Sequence, residues 1–316
     1  MSSGEGLGLV ADVGGTNARF ALIETGGDRS RLISLQQLAC ADFPSFEATL
    51  AAYLDAVGAA PRQAVIAVAG AVRNNSVHFT NRDWRISPET LAKAGFANIR
   101  LINDYLAQAL ALPLLGEDRL LALGPHARAG AGTLAVMGPG SGLGIAALVR
   151  QDGHEIPLAT EGGHADFAPV DDTEIEVLHI LRQRHGRVSI EGLLSGSGLT
   201  RLHGALHSNA PTLGASEITG RAASGDEACR ATLLRFCAIL GSVAGNVALT
   251  LGASGGVFIA GGIAPRILSF LQESAFRERF EAKPPMSDWV KRTPTLVIAD
   301  TNSGLLGAAR LLEREE

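Results

Sequence analysis

The chain has 316 residues, more than one hydrophobic core comfortably serves, so two domains are the default. It is 46% hydrophobic and 19% charged, a globular composition, and 27 Lys and Arg against 32 Asp and Glu give a net charge of -5 with no long basic run, which disfavours nucleic acid as a partner. Cys40, Cys229 and Cys237 are too few and too scattered for a disulfide framework or a zinc cluster and fit a reducing cytoplasm.

In chain order, the first pattern is an apolar run from Leu9, the acid Asp12, the pair Gly14 and Gly15, Thr16, and an alternating run from Arg19 to Ile23. It reads as a β-hairpin whose turn is stripped of side chains. Glycine takes φ > 0 without steric cost and lets backbone approach a ligand closely, and successive turn N–H groups form an anion-binding concavity. Asp12 beside it suits a hydrated Mg2+. The pattern predicts a nucleotide-phosphate clamp; the competing reading is an ordinary tight hairpin.

Strands continue to about Leu38, and a helix is expected over 45–57. A buried strand over 64–69 ends at Gly70, and 81–84 reads as loop. Ser87 with Pro88 starts a helix that ends near Gly95. A strand over 99–102 leads into Asn103 and Asp104, which open a helix stopped by Pro113. Carboxylate and amide at the C-terminal end of a strand lie where open α/β sheets place ligands, although both are also favoured helix caps. Strands mixed with helices in this order indicate an α/β fold with a largely parallel core.

The second half repeats the opening plan about 125 residues later: a strand over 132–137, the glycine turn Gly138-Pro139-Gly140-Ser141-Gly142, and a return strand over 143–149. Two halves built this way would offer two phosphate-binding hairpins to one ligand in a cleft between them. Helices are expected near 173–185 and 229–251, strands from Val257 and over 295–298, and a last helix over 304–314. No charged residue occurs from Phe236 to Pro265, but glycines at 252–256 break the stretch; it reads as buried helix, turn and buried strand, so a soluble chain with no membrane partner is expected. The start of the chain lacks the basic region and cleavage site of a signal peptide.

Several short patterns sort by their context. Gly142 to Ala147 fits a dinucleotide fingerprint in spelling, but a strand follows where that motif needs a helix. Gly252 to Gly256 spells a nucleophile elbow but runs from helix to strand. No Gly-Lys dipeptide exists, so there is no lysine-bearing P-loop. The bare pair Gly261-Gly262 suits an adenine or ribose lying against it, with helix–strand packing as the alternative. Glu161, His164 and Glu191 offer carboxylates and an imidazole for vicinal hydroxyls; a metal site from Glu161 and His164 lacks further ligands. His203 and His207, i and i+4 on a helix without a neighbouring Glu, read as surface residues.

Together these segments resemble the bacterial glucokinase family of the hexokinase/actin-like ATPase superfamily, in the branch without a zinc-binding Cys cluster. Asp12 to Asn17 is similar to the first phosphate motif, Gly138 to Gly142 to the second (with Ser141 where Thr is commoner), and Gly256 to Ile263 to the adenosine motif. Leu101-Ile-Asn-Asp104 resembles the catalytic segment, Glu161 to Pro169 the sugar loop, and Glu191 with Leu194 to Gly198 its neighbour. The resemblance implies a two-lobed α/β actin-like ATPase (ribonuclease H-like) fold with an active-site cleft between the lobes, the small domain at 1–114 with a returning helix at 303–316 and the large domain at 115–302. It implies transfer of the γ-phosphate of ATP to the 6-hydroxyl of glucose, with Asp104 as general base and Asn103, Asp104, Glu161, His164 and Glu191 on the sugar. Ala11, Asp12, Val13, Gly14, Gly15, Thr16, Gly140, Ser141, Gly261 and Gly262 would bind ATP, and Asp12 would hold Mg2+ through water. The family is commonly dimeric, so a homodimer in the cytoplasm is expected. A kinase for another hexose remains open, as does a non-catalytic sugar sensor, which would add a helix-turn-helix and lose the base.

Overall fold

The computed structural model describes residues 6–25, 31–70, 72–79, 84–208 and 211–312. In chain order the strands and helices are β1 (Leu7–Val13), β2 (Asn17–Glu24), β3 (Ile33–Ala39), α1 (Phe46–Val57), β4 (Gln63–Val68), β5 (Val77–His78), β6 (Arg85–Ile86), α2 (Pro88–Ala92), β7 (Asn98–Asn103) and α3 (Asp104–Ala111). There follow β8 (Leu120–Ala122), β9 (Leu134–Pro139), β10 (Leu143–Gln151), β11 (His154–Thr160), α4 (Asp172–His185), α5 (Gly196–Leu206), α6 (Ala215–Ala223) and α7 (Glu227–Leu251). The last are β12 (Gly256–Ile259), α8 (Leu268–Glu273), α9 (Phe276–Glu281), α10 (Ser287–Lys291), β13 (Thr295–Ile298) and α11 (Ser303–Leu312). The chain divides into two compact units, one of Met1–Leu115 with Asp300–Glu316 and the other of Gly116–Ala299.

In the first unit the sheet order is β3-β2-β1-β4-β7. β1 and β2 form the expected antiparallel hairpin, and β1, β4 and β7 run parallel. The local signals act as expected: the Ser45 hydroxyl accepts from the Ala48 amide at the start of α1, and Gly58 ends that helix in the left-handed conformation. Ser87 and Thr90 form a capping box on α2, with Pro88 in its first turn. Phe20 stacks on Tyr53 with ring centroids 5.1 Å apart, and Phe46 and Trp84 extend this core. The short β5–β6 pair went unrecognised in the sequence because each strand is two residues long; of the loop expected over 81–84, residues 81–83 lie outside the described residues. The last helix begins at Ser303, one residue before the expected start, and 313–314 also lie outside the described residues.

The second unit carries the sheet order β11-β10-β9-β12-β13-β8, with β9, β12 and β13 parallel. β10 is a strand, so the dinucleotide reading is excluded, and the 252–256 turn runs from α7 into β12. α7 is 25 residues long with a mean hydropathy of 1.6 over its most apolar window, long and apolar enough to cross a membrane, yet 78% of that window is buried inside the unit. It packs against α5, α6 and α9, so its apolarity is accounted for by the core. His203 corrects the expectation of a surface pair: it is buried, with Nδ1 2.9 Å from the Thr232 hydroxyl on α7, because α5 turns that face inward. Burial, His207 and Arg221 hold its pKa below the usual histidine value against the opposing charge of Asp226. The buried acid Glu174 accepts from the Val170 amide and pairs with Arg235 and Arg279. Burial works against the charge of its neighbour Asp171, but the Glu174 amide, Arg235 and Arg279 outweigh it and hold that carboxyl below its ordinary range.

α11 returns to the first unit and lies against α3. A Cβ at Gly307 would sit 1.7 Å from the Ala107 carbonyl oxygen, so only glycine permits this approach. Gly307→Ala is therefore expected to destabilise the protein by about 3 kcal/mol, the upper end of overpacking costs, measured by chemical denaturation. A variant as stable as the wild type would show that the two helices part at no cost.

Candidate active site

Parallel pairing sets the geometry of the first unit's candidate residues. Val13 is in register with Val68, and Val68 with Asn103, so the ends of β1, β4 and β7 form one carboxyl edge. At a strand spacing near 4.8 Å, the backbones at Val13 and Asn103 are about 10 Å apart. Asp12 points from this edge, its carboxylate 3.7 Å from the Arg19 guanidinium across the hairpin. Burial raises the Asp12 pKa, and Arg19 opposes that rise. The Gly14 amide donates to the Asn17 carbonyl at 2.9 Å, closing the turn, and the Cys40 amide donates to Thr16. Gly14 has no positive φ, and a Cβ there would meet the Asn17 carbonyl oxygen at 3.6 Å.

Asn103 is the N-cap of α3, its Oδ1 accepting from the Tyr105 and Leu106 amides at 2.9 and 3.2 Å. The capping alternative is thus realised for its oxygen, while Nδ2 donates to the Gly70 carbonyl at 3.4 Å. Asp104 is the first helical residue, where the positive end of the helix favours a carboxylate, and its Oδ1 accepts from the Tyr105 amide at 2.9 Å. Tyr105 carried no signal in the sequence. Burial pushes its phenol well above the usual value, and the charges of Asp104 and then Asp12 push the same way. Gln108 is a second residue missed: a Cβ at Gly304 would lie 3.0 Å from Asp12 Oδ2 and 3.5 Å from Gln108 Nε2, and the Ser303 hydroxyl donates to Gln108 Oε1 at 2.6 Å.

In the second unit the glycine turn is shorter than expected. β9 runs through Gly138 and Pro139, which pairs with Leu143, leaving 140–142 to turn. The Gly140 amide donates to the Gly142 carbonyl at 2.8 Å. Ile263 donates to the Pro139 carbonyl at 3.3 Å, so the Gly261-Gly262 turn lies beside the first. Gly261 has φ +83° and a Cβ there would be 2.5 Å from the Pro139 oxygen, whereas a Cβ at Gly262 would meet open space. The packing reading therefore explains Gly261, and the ligand-facing reading survives at Gly262. Next to it a small pocket is lined by Leu199, Ser216, Thr219, Ile263, Arg266 and Ile267. The polar members from α6 and the segment after Ile263 went unmarked because nothing in their local sequence distinguishes them from surface residues.

Glu161, His164 and Glu191 are brought together. His164 lies 3.8 Å from Glu161 and 3.9 Å from Glu191, measured between side-chain nitrogen and oxygen. The Glu191 amide donates to the Gly163 carbonyl and the Ile190 amide to Ala165, so segments 162–167 and 188–191 pair as a short two-stranded link. Arg187 spans the same turn, donating to Asp166 and to the His164 carbonyl, both at 2.6 Å. Among the described residues no group of three or more His, Cys, Asp and Glu is arranged to hold a metal ion.

The glucokinase family model matches residues 9–315. The chain belongs to the glucokinase family. A glucokinase from Caulobacter vibrioides is 52% identical over 318 residues, covering 98% of this chain and 96% of the relative. The crystal structure of glucokinase from an Antarctic psychrotroph has 38% identity and a TM-score of 0.88, covering 98% of this chain and 99% of that one. A ROK family glucokinase from Streptomyces griseus, in complex with glucose and AMPPNP, shares the fold at a TM-score of 0.68 and 20% identity, covering 97% and 99%. With the two sheet orders, these neighbours give the α/β fold of the actin-like ATPases.

A Cβ at Gly163 would sit 2.1 Å from the Leu143 carbonyl oxygen. Gly163→Ala should push the 162–164 turn away from β10 and weaken the Gly163–Glu191 backbone bond. Faster hydrogen exchange at the Glu191 amide is the expected readout; unchanged exchange would show that the cluster does not depend on this approach.

Proposed function

We propose that this glucokinase-family protein transfers the γ-phosphate of ATP to the 6-hydroxyl of D-glucose. The observation that carries the reading is Asp104, a carboxylate at the first turn of α3 on the same carboxyl edge as the Asp12 hairpin, in a chain that the family model matches almost throughout.

In this reading the Asp104 carboxylate orients the sugar 6-hydroxyl and takes its proton as the oxygen attacks phosphorus. Phosphoryl transfer passes through a loose transition state, so positioning and late proton acceptance are what the base must supply. With its oxygen engaged in the cap and one Nδ2 proton directed at Gly70, Asn103 offers its second Nδ2 proton to a sugar hydroxyl. Glu161, His164 and Glu191 bind further hydroxyls. Backbone around Gly14 to Thr16 and Gly140 to Ser141 receives the phosphates, and the pocket beside Gly262 receives the adenine or ribose.

Mg2+ suits Asp12. The ion characteristically takes one or two carboxylates plus substrate phosphates and keeps several waters, rather than filling an all-protein cage. Asp12, a half-buried carboxylate, would supply one such oxygen ligand, and its Arg19 partner at 3.7 Å is not a donor to the ion. When bound with the nucleotide, Mg2+ offsets charge on the β- and γ-phosphates. The three buried thiols support a cytoplasmic setting, and exposed Ile156 and Leu158 on the edge strand β11 support a homodimer.

Asp104→Ala should lower kcat at least about 100-fold, within the usual contribution of a general base, while glucose binding by calorimetry survives in weakened form. Glucose-dependent ADP release at the wild-type rate would overturn the assignment. Glu161→Gln should raise the glucose KM about tenfold, the loss of roughly one charged hydrogen bond, and leave the ATP KM nearly unchanged. Equal effects on both would remove Glu161 from the sugar.

A further inference from the structure

Glu191 reaches in two directions. Its Oε2 accepts from the Leu143 amide at 2.9 Å, and Leu143 is the first residue of β10 after the 140–142 turn. Its Oε1 lies 3.9 Å from His164 Nδ1. The approach to Leu143 depends on Gly142, where a Cβ would fall 2.5 Å from Glu191 Oε2 and 3.3 Å from its carboxyl carbon. Leu143 pairs with Pro139 of β9, whose carbonyl accepts from the Ile263 amide, so the Glu191 carboxylate reaches the turn where the two glycine turns meet. The remaining edges of the turn are held by backbone: the Gly196 amide at the start of α5 donates to Gly140 at 2.8 Å, and Ile263 donates to Pro139. Among the contacts found for this turn, the Glu191 carboxylate supplies a side chain, and the others are backbone groups.

From this arrangement we infer that Glu191 is a positioning residue for the phosphate turn, and that it links sugar occupancy to affinity for the nucleoside triphosphate. The inference rests on the reading above, in which Glu191 meets the sugar and the 140–142 turn meets the phosphates. A hydrogen bond to a carboxylate is shorter and roughly twice as strong as one between neutral groups. A sugar hydroxyl donating to Oε1 holds the carboxylate in place with Oε2 on the Leu143 amide, and so orders the turn before the nucleotide arrives. The nucleotide then binds to a turn whose ordering has already been met. By thermodynamic linkage the nucleotide must raise sugar affinity by the same factor. The side chain that reads the acceptor thus sets the backbone that holds the donor.

The test is calorimetric titration with AMPPNP, with and without saturating glucose, on the wild type, Gly142→Ala and Glu191→Gln. In the wild type, glucose should tighten AMPPNP binding at least about fivefold, the lower end of ordinary coupling. Gly142→Ala keeps the carboxylate but displaces it from the Leu143 amide; the factor should fall close to one, with glucose affinity kept within about threefold. Glu191→Gln, isosteric and safe for folding, should weaken AMPPNP about tenfold even without sugar, since a charged hydrogen bond to the turn becomes a neutral one. A wild-type factor of one, or a full factor in Gly142→Ala, would overturn the linkage. Unchanged sugar-free AMPPNP affinity in Glu191→Gln would overturn the positioning role. Glucose affinity separates the two levels: if Glu191→Gln binds AMPPNP weakly but glucose normally, the turn-positioning role stands and the sugar contact fails.

Discussion

Parallel strand pairing is the constraint on which the rest depends. Parallel strands bring their carboxyl ends to one edge, and the loops leaving that edge are where side chains can face a ligand. In the first unit this puts the end of β1 and the end of β7, some ninety positions apart in the sequence, on either side of β4 in exact register from Val13 through Val68 to Asn103. In the second unit the same geometry puts the glycine turn after β9 beside the glycine pair after β12, joined through the Pro139 carbonyl. Each unit adds an antiparallel hairpin to its parallel strands, which accounts for the repeated strand–turn–strand pattern.

Chemistry is then built by letting polar groups come closer to backbone than a Cβ would allow. Gly163 admits the Leu143 carbonyl, Gly142 admits the Glu191 carboxylate, and Gly304 leaves space for Asp12. The cost is electrostatic. Asp12 is half-buried with a guanidinium 3.7 Å away, and burial with the charges of Asp104 and Asp12 pushes the Tyr105 phenol above its usual value. Burying a charge is expensive unless it is paired, and Arg19 is the partner that opposes this cost at Asp12.

Much of this was legible in the sequence because the signals were local. The caps at Ser45 and Ser87, the hairpin around Gly14, the helix opened by Asn103 and the apolar run of α7 each announce themselves within a few residues. What escaped depends on distant partners. His203 looks like a surface residue until α7 supplies Thr232, and Tyr105 and Gln108 matter only because Asp12 and Ser303 are folded against them. The glycines show the limit from the other side. Their presence was informative, but Gly261 packs closely on the Pro139 carbonyl while Gly14 turns without a positive φ, distinctions that rest on the folded backbone. At Asn103 the structure shows the cap, its oxygen accepting from α3 and its amide nitrogen donating to Gly70.

The central claim is a directed transfer from ATP to one oxygen of one sugar. Phosphorus NMR of the purified protein with ATP, Mg2+ and, in parallel, glucose, 6-deoxyglucose and a panel of other hexoses tests it most directly. The account predicts glucose 6-phosphate and ADP in equal amounts and no transfer to 6-deoxyglucose. A phosphorylated product from 6-deoxyglucose, or no sugar phosphate from glucose, would contradict it.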